Sequence, residues 1–305
     1  MSKMRDTYDQ PQSSSYRMKI FIKSALVMLV LVLLTLICLM PIYLMCINAT
    51  RSNQDIINSA LSFLPGMDFV DNFDIAKKRL LFDAFRGFRN SFVIAGASTV
   101  LTIFFSCLTA YGLCVYDFKI KDSAFTFIVA VMMVPTQVMG VGFIRFMMNF
   151  FGMKLTGTYW PLIIPAIAAP AVVFFMCQNM KATFPFDIIE AARIDGCSEF
   201  RTFLTIGMPM LKPAIAVQTI FAFVTNWNNY YTPNMILSSS TTSSKFWGDK
   251  STMPMMITKV ISNDNVQERG AQAAVIAISI LPLIIAYVIL SRFIIEGVAL
   301  GGVKE

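Results

Sequence analysis

Apolar residues along this chain come in long blocks separated by short polar islands, not in the brief alternations of a soluble fold. Runs that approach the roughly 20 residues needed to cross a bilayer core lie at about 20–47, 92–115, 124–144, 160–180, 211–237 and 271–293. The pattern predicts an all-α membrane protein with six transmembrane helices in one domain, 20–293. A polar tail, 1–19, ends in the basic flank Arg17 and Lys19, and a second tail, 294–305, closes the chain. The first run, broken only by Lys23, is too long for a signal-peptide core and is expected to stay as a span.

Three of the blocks carry punctuation. The fourth holds Pro161, Pro165 and Pro170, which predicts a broken or kinked start, permitted where the freed carbonyls face protein or a wet cavity. The third contains Pro135 and Gln137. In the fifth, Asn226, Trp227, Asn228, Asn229 and Tyr230 interrupt the apolar run. At 1.5 Å per residue from Leu211, Asn226 lies about 22 Å into a ~30 Å core. Asparagines at that depth belong against the bundle interior or an aqueous path. Amides and aromatic faces suit a polyhydroxylated solute, so these five residues and Gln137 are the candidate pore lining. An interhelical hydrogen-bond cluster with an interfacial aromatic belt accounts for the same residues equally well.

Composition sharpens the class. Of 305 residues 56% are hydrophobic and only 14% charged, the balance of an integral membrane protein. Histidine is absent, which excludes His-based acid–base catalysis and His-ligated metals within the chain. The six cysteines show no metal-like pairing, so neither a catalytic nor a metal site is expected. The formal charge of +7 suits anionic lipid headgroups, while no basic run interleaved with aromatics points to nucleic acid. Basic residues divide almost evenly between the two faces of a six-span layout, so charge alone does not orient it.

The densest charged island with helix punctuation in the C-terminal half is 187–209, DIIEAARIDGCSEFRTFLTIGMP. Asp187 and Glu190 read as a capping box after Pro185, and Gly196 as the left-handed end of a two-turn helix. Ser198 is placed to cap a second helix, along which Phe200, Phe203 and Leu204 recur at helical spacing. Pro209 and Pro213 fall where first-turn prolines are tolerated. A helix, glycine turn, helix hairpin is the expectation.

Glu190-Ala191-Ala192, three residues, Gly196, nine residues, then Ile206-Gly207-Met208-Pro209 resembles the EAA loop of bacterial ABC-importer permeases, with Met208 in place of Leu. The segments MPIYLMCINATRSNQDI, NWNNYYTP and RFIIEGVALGGVKE are similar to the carbohydrate, maltose-type group of that family. The resemblance implies the type I importer permease fold, both termini cytoplasmic, and a bacterial cell membrane location. It implies that the hairpin is a coupling helix docking on an ATPase, with Ala191, Ala192, Gly196, Phe200 and Phe203 shaping that surface and Glu190, Arg193, Asp195 and Glu199 giving cap or polar contacts. It further implies a second related permease, two ATP-binding subunits that carry ATP and Mg, and an extracellular solute-binding protein.

No Walker-type GxxxxGK[ST] occurs, so nucleotide hydrolysis is expected in a partner and no cofactor on this chain. Cargo other than sugar, such as a polyol or glycerol phosphate, stays open. A secondary transporter would need ion-coupling carboxylates in its spans, whereas nearly all Asp and Glu here lie in loops or at ends.

Overall fold

The computed structural model describes residues 14–59, 61–148, 155, 157–238, 250–262 and 268–301. Among the described residues every regular element is helical. Among the described residues four helices are long and apolar enough to cross a membrane, Ile20–Ala49, Ala84–Val115, Trp160–Thr183 and Arg269–Ile289. A fifth arises if Glu199–Met210 and Lys212–Trp227, bent by 79°, count as one span. By contacts the chain falls into two units, one of 1–74 with 266–274 and the other of 75–265 with 275–305.

The first unit is built on α1 (Ser14–Ala49). Every described side chain from Ile20 to Tyr43 is exposed, as expected of a helix whose apolar surface meets lipid. Beyond its end, α2 (Asn53–Asn58) is capped by Ser52, whose hydroxyl accepts from the Asp55 N–H. The following α3 (Phe69–Lys78) is tied back through Asn72, whose buried amide donates to the Ala49 and Arg51 carbonyls at 3.0 and 2.9 Å.

The second unit is organised around α4 (Ala84–Val115). This helix begins eight residues earlier than expected for the span at 92. Asp83 accounts for the start, because its carboxylate accepts from the Arg86 N–H at 3.0 Å and so caps a helix end. Residues 84–91, outside the expected span, are therefore the first turns of the helix itself.

The span expected at 124–144 is two helices, α5 (Lys121–Met132) and α6 (Thr136–Met148). Pro135 separates them, and at 12 and 13 residues each is shorter than a bilayer crossing needs. The fourth block does start broken: α7 (Trp160–Ile163) passes into a 3-10 turn at Ile164–Ile167 before α8 (Pro170–Thr183). The hairpin comprises α9 (Asp187–Ile194), α10 (Glu199–Thr202), a π turn at Phe203–Gly207 and α11 (Met208–Met210). Next, α12 (Lys212–Trp227) and α13 (Tyr231–Ser238) divide the expected fifth span at Asn228–Tyr230.

Residues 239–249 lie outside the described residues, and α14 (Met253–Ile261) follows as a short helix. Its Met253, Met255 and Met256 are buried, and methionine fills irregular gaps of this kind. The last helix, α15 (Arg269–Gly301), includes the expected sixth span.

A hydrophobic core packs α4, α8 and the hairpin together through Cys107, Tyr111, Met176, Cys177, Met180, Ile189 and Phe203. Cys107 and Cys177 serve there as small apolar side chains. Among the described residues no cluster of metal-ligating side chains occurs.

Candidate functional site: the 187–209 hairpin and the broken-helix cavity

The first arm of the hairpin closes as its sequence predicts. Gly196 takes φ +77°, its N–H donates to the Arg193 carbonyl, and the Cys197 N–H donates to the Ala192 carbonyl, both at 3.0 Å. These two bonds make a Schellman end, in which only glycine adopts the left-handed residue without penalty.

The start differs from the expected capping box. Phe186 is the N-cap, already helical at φ −63° and ψ −27°, and no side chain caps the turn. The chain enters the helix without leaving helical backbone after Pro185, so Asp187 and Glu190 sit inside the first turn, where their charges favour the positive end of the helix dipole. Ser198 does occupy the second N-cap with extended backbone, yet its hydroxyl makes no capping bond. Its carbonyl instead accepts from both the N–H and the hydroxyl of Thr202.

Ala191 and Ala192, adjacent in the motif, face opposite ways. Ala192 is buried with Ile189 and Phe203, which seat the hairpin, and the Phe203 ring lies 5.3 Å from that of Tyr111 and 6.2 Å from that of Phe104. Gly207, brought round by the π turn, approaches the same Tyr111 ring. Ala191, Glu190, Arg193, Asp195 and Gly196 face outward, and Ile194 and Phe200 are 86% and 56% exposed beside them. The outward surface is thus small and apolar at its centre with charge at its edges.

A polar staple joins the two arms. Arg193 Nε and Nη2 donate to the two oxygens of Glu199 at 2.7 and 3.3 Å. The Tyr116 hydroxyl donates to Glu199 Oε2 at 2.7 Å, and the guanidinium lies 5.5 Å from the Tyr116 ring centre. Arg193 first and Tyr116 second hold the Glu199 carboxyl below the ordinary carboxylate range. Reciprocally, the bond to Glu199 raises the Arg193 guanidinium above its usual value. Burial, then the bond to Glu199, pushes the Tyr116 phenol up to about 12. Sequence reading missed Tyr116: it sits one residue past an apolar run, and no spacing links it to position 199.

The second candidate region lies around the three prolines. Pro161 has no N–H for the Gly157 carbonyl four residues back, and Lys250 Nζ donates to that oxygen at 2.9 Å. Pro165 has none for Leu162 in the 3-10 repeat, and the Ser98 hydroxyl donates there at 3.2 Å. Pro170 has none for Ala166, and Thr102 donates at 3.0 Å. Each of these three carbonyls accepts from a side chain elsewhere in the chain, which is what backbone broken inside a membrane requires. The signal for two of these donors was present as hydroxyls four apart on one face of α4, at 98 and 102.

Beside this break lies a cavity of about 190 Å³ lined by Asn226, Asn229, Thr232, Phe143, Pro161 and Pro165 among others. A larger one, about 340 Å³, shares Phe143, Pro165 and Thr232 and adds Gly140 and Tyr231. Of the five candidate pore residues whose side chains are described, Asn226 and Asn229 alone line this space. Even these are partly engaged: Asn226 Nδ2 donates to the Ala222 carbonyl at 2.9 Å, and Asn229 Oδ1 accepts from the Thr232 N–H at 3.3 Å. Trp227 is buried against Phe88 and Phe223, whereas Asn228 and Tyr230 are exposed. Gln137 belongs to the first turn of α6, with its side chain outside the described residues.

Comparison with known proteins agrees with this architecture. The chain is 31% identical over 306 residues to the arabinooligosaccharides transport system permease protein AraQ of Bacillus subtilis (strain 168), spanning 96% of this chain and 98% of that protein. It is 28% identical to the lactose transport system permease protein LacG of Rhizobium radiobacter, over 90% of this chain and 94% of that one. With the sn-glycerol-3-phosphate transport system permease protein UgpE of Escherichia coli it shares 24% identity over 88% and 92%. A chain of a bacterial ABC transporter involved in the import of the acidic polysaccharide alginate has the same fold, with TM-score 0.71, 20% identity and coverage of 92% and 98%. The model of one family, described as binding-protein-dependent transport system inner membrane component, matches residues 102–299. On these matches the chain belongs to the family of binding-protein-dependent transport system inner membrane components.

Proposed function

We propose that this chain is one permease subunit of an ATP-driven importer of sugars or oligosaccharides in the bacterial cytoplasmic membrane. It forms half of the pore with a second, related permease. Two ATP-binding subunits, carrying ATP and Mg, drive it, and an extracellular solute-binding protein delivers the cargo. The observation that carries this reading is the hairpin: a rigid Schellman turn presents Ala191, Gly196 and Phe200 outward while Ile189 and Phe203 root it in the core shared by α4 and α8. A surface so rooted passes a push from a docked ATPase to the membrane helices as a shift between two packed states. Six spans with both termini cytoplasmic place the hairpin on the ATPase side.

The relatives' names support a carbohydrate cargo, since two are named for arabinooligosaccharides and lactose. A third, named for sn-glycerol-3-phosphate, keeps a polyol or its phosphate as the alternative. In either case Asn226 and Asn229, at the cavity beside Pro165, are the residues of this chain suited to meet a hydroxylated solute.

The test is gentle detergent purification of the tagged chain with mass spectrometry of its partners, beside a variant lacking 187–203. An ATPase and a second permease with the intact chain, and the permease alone with the deletion, is the expected result. An intact chain that emerges alone overturns the reading. Uptake measured against competing arabinooligosaccharide, lactose and glycerol phosphate then separates the cargoes.

A further inference from the structure

Residues 61–67, LSFLPGM, carry no charge and lie in a loop that hydropathy assigns to the aqueous side of the first span. Their apolar side chains nevertheless point outward: Leu61 is 66% exposed, Leu64 77% and Met67 99%.

The loop is held in this form. Gly66 runs so close to the chain at 50–51 that a Cβ there would collide with the Thr50 carbonyl oxygen. The Gly66 N–H donates to Thr50 Oγ1 at 3.0 Å, and the Asp68 N–H to the Thr50 carbonyl at 2.9 Å. With Asn72 strapping α3 to the same helix end, the apolar side chains cannot fold inward without breaking buried bonds.

The level of the loop relative to a bilayer follows from α1. Lys23 marks one polar edge of that helix, and the ~30 Å core then spans about 20 residues, which puts Tyr43 at the opposite boundary. Tyrosine with an exposed ring and a bonded hydroxyl is the residue expected there. The Tyr43 hydroxyl donates to the Phe63 carbonyl at 2.8 Å, and the two rings stack with centroids 6.4 Å apart. Phe63 is therefore level with the edge of the hydrocarbon. Below the pair an apolar groove of about 580 Å³ runs down α1 past Met40 and Leu36, along a helix whose side chains are exposed throughout.

From this geometry we propose that Leu61–Met67 is an interfacial wedge whose partner is the lipid surface. Leu61, Phe63, Leu64 and Met67 enter the boundary between headgroups and acyl chains, and an acyl chain lies in the groove beneath Phe63. Apolar residues on a rigid support at the depth of an aromatic belt are stabilised by this boundary in the way an amphipathic surface helix is. The inference concerns the membrane alone and is independent of cargo.

The test places the photoreactive residue p-benzoylphenylalanine at Leu64, at Met67 and, as a water-facing control, at Asp71, in the full chain expressed with its partners in native membranes. After irradiation, intact-mass and peptide mass spectrometry read the adducts. Phospholipid adducts at 64 and 67, several-fold above those at 71, are the expected result. Cross-links from 64 and 67 to another polypeptide would instead make the loop a protein-docking surface and overturn the proposal. Lipid yields at 64 and 67 no higher than at 71 overturn it as well. All three positions are exposed, so the replacements leave the packed interior untouched.

Discussion

The hairpin at 187–207 and the broken helix at 160–170 are both interruptions of helical backbone, yet they satisfy their freed polar groups in opposite ways. The hairpin closes on itself, because the bonds that end α9 are backbone to backbone within six residues. The broken helix is completed from a distance, by Ser98, Thr102 and Lys250, the nearest of them 64 residues away. A local solution keeps its shape whatever the rest of the bundle does. A remote one ties the shape of the break to the position of α4 and of the segment at 250, so relative movement of these elements must strain or exchange those bonds. If the hairpin is the proposed docking surface, it is the rigid part that receives force and the break is the part that yields.

The largest expected effect breaks the local solution. Gly196→Pro removes the N–H that bonds Arg193 and forces φ from +77° to about −65°, which costs about 3 kcal/mol or more in the turn. Hydrogen exchange across 187–203 should lose its protection and the proposed ATPase should fail to co-purify, while the amount of chain in the membrane stays the same. Gly196→Ala meets open space and only the left-handed penalty of about 1 to 2 kcal/mol. It should weaken protection without abolishing co-purification. Equal behaviour of the two variants would show that the turn is not held as described.

Next come the remote donors. Thr102→Val keeps the shape but leaves the Ala166 carbonyl without its hydroxyl, and Ser98→Ala does the same for Leu162. Each is expected to lower thermal stability in detergent by about 1 kcal/mol, and the double variant by more than the sum, since both support one break. Strict additivity would mean that the two bonds do not act on a shared element.

This contrast also explains what could be read from the amino-acid order. Gly196, Pro209, Pro213 and the helical turns between them follow from neighbours within a few residues, so the hairpin was expected with nearly its observed ends. The proline break was expected too, because a proline acts on its own helix. The donors that complete it, the Asn90 amide that donates to the Ser251 carbonyl and the Tyr116 hydroxyl on Glu199 are pairings across 64 to 161 positions, which no local period encodes. The division of 124–144 at Pro135 and of the fifth block at Asn228–Tyr230 was obscured for another reason. Hydropathy sums over a window, and apolar residues on both sides of a break sum as well as those in one helix.

A smaller effect is expected under the hairpin. The Tyr111 hydroxyl is buried with no hydrogen-bond partner among the described residues, while its ring packs on Phe203. Tyr111→Phe keeps the ring and removes the orphan group, so thermal stability should hold or rise by up to about 1 kcal/mol. A clear loss would mean that the hydroxyl has a partner in the assembled transporter.

The smallest effect concerns the staple between the hairpin's arms, which alone makes the local solution sensitive to pH. Glu199 is held below its ordinary carboxylate range in the folded hairpin, so its contribution is complete above the unfolded value, about 4.3, and is lost as pH falls through the folded one. Tyr116, pushed up to about 12, contributes fully below its unfolded value of about 10 and is lost as pH rises through the folded one. Between these limits neither group changes charge, and solvent screens an exposed pair such as Arg193 and Glu199. Hydrogen-exchange protection of 187–203, corrected for the intrinsic rate, should therefore be level from pH 5 to 9 and fall only below about pH 4. In Glu199→Gln the acid decline should vanish while the Schellman turn keeps most of the protection. A wild-type hairpin that loosened between pH 5 and 9 would place its stability in some other titrating group and would remove the claim that the Schellman bonds carry most of its rigidity.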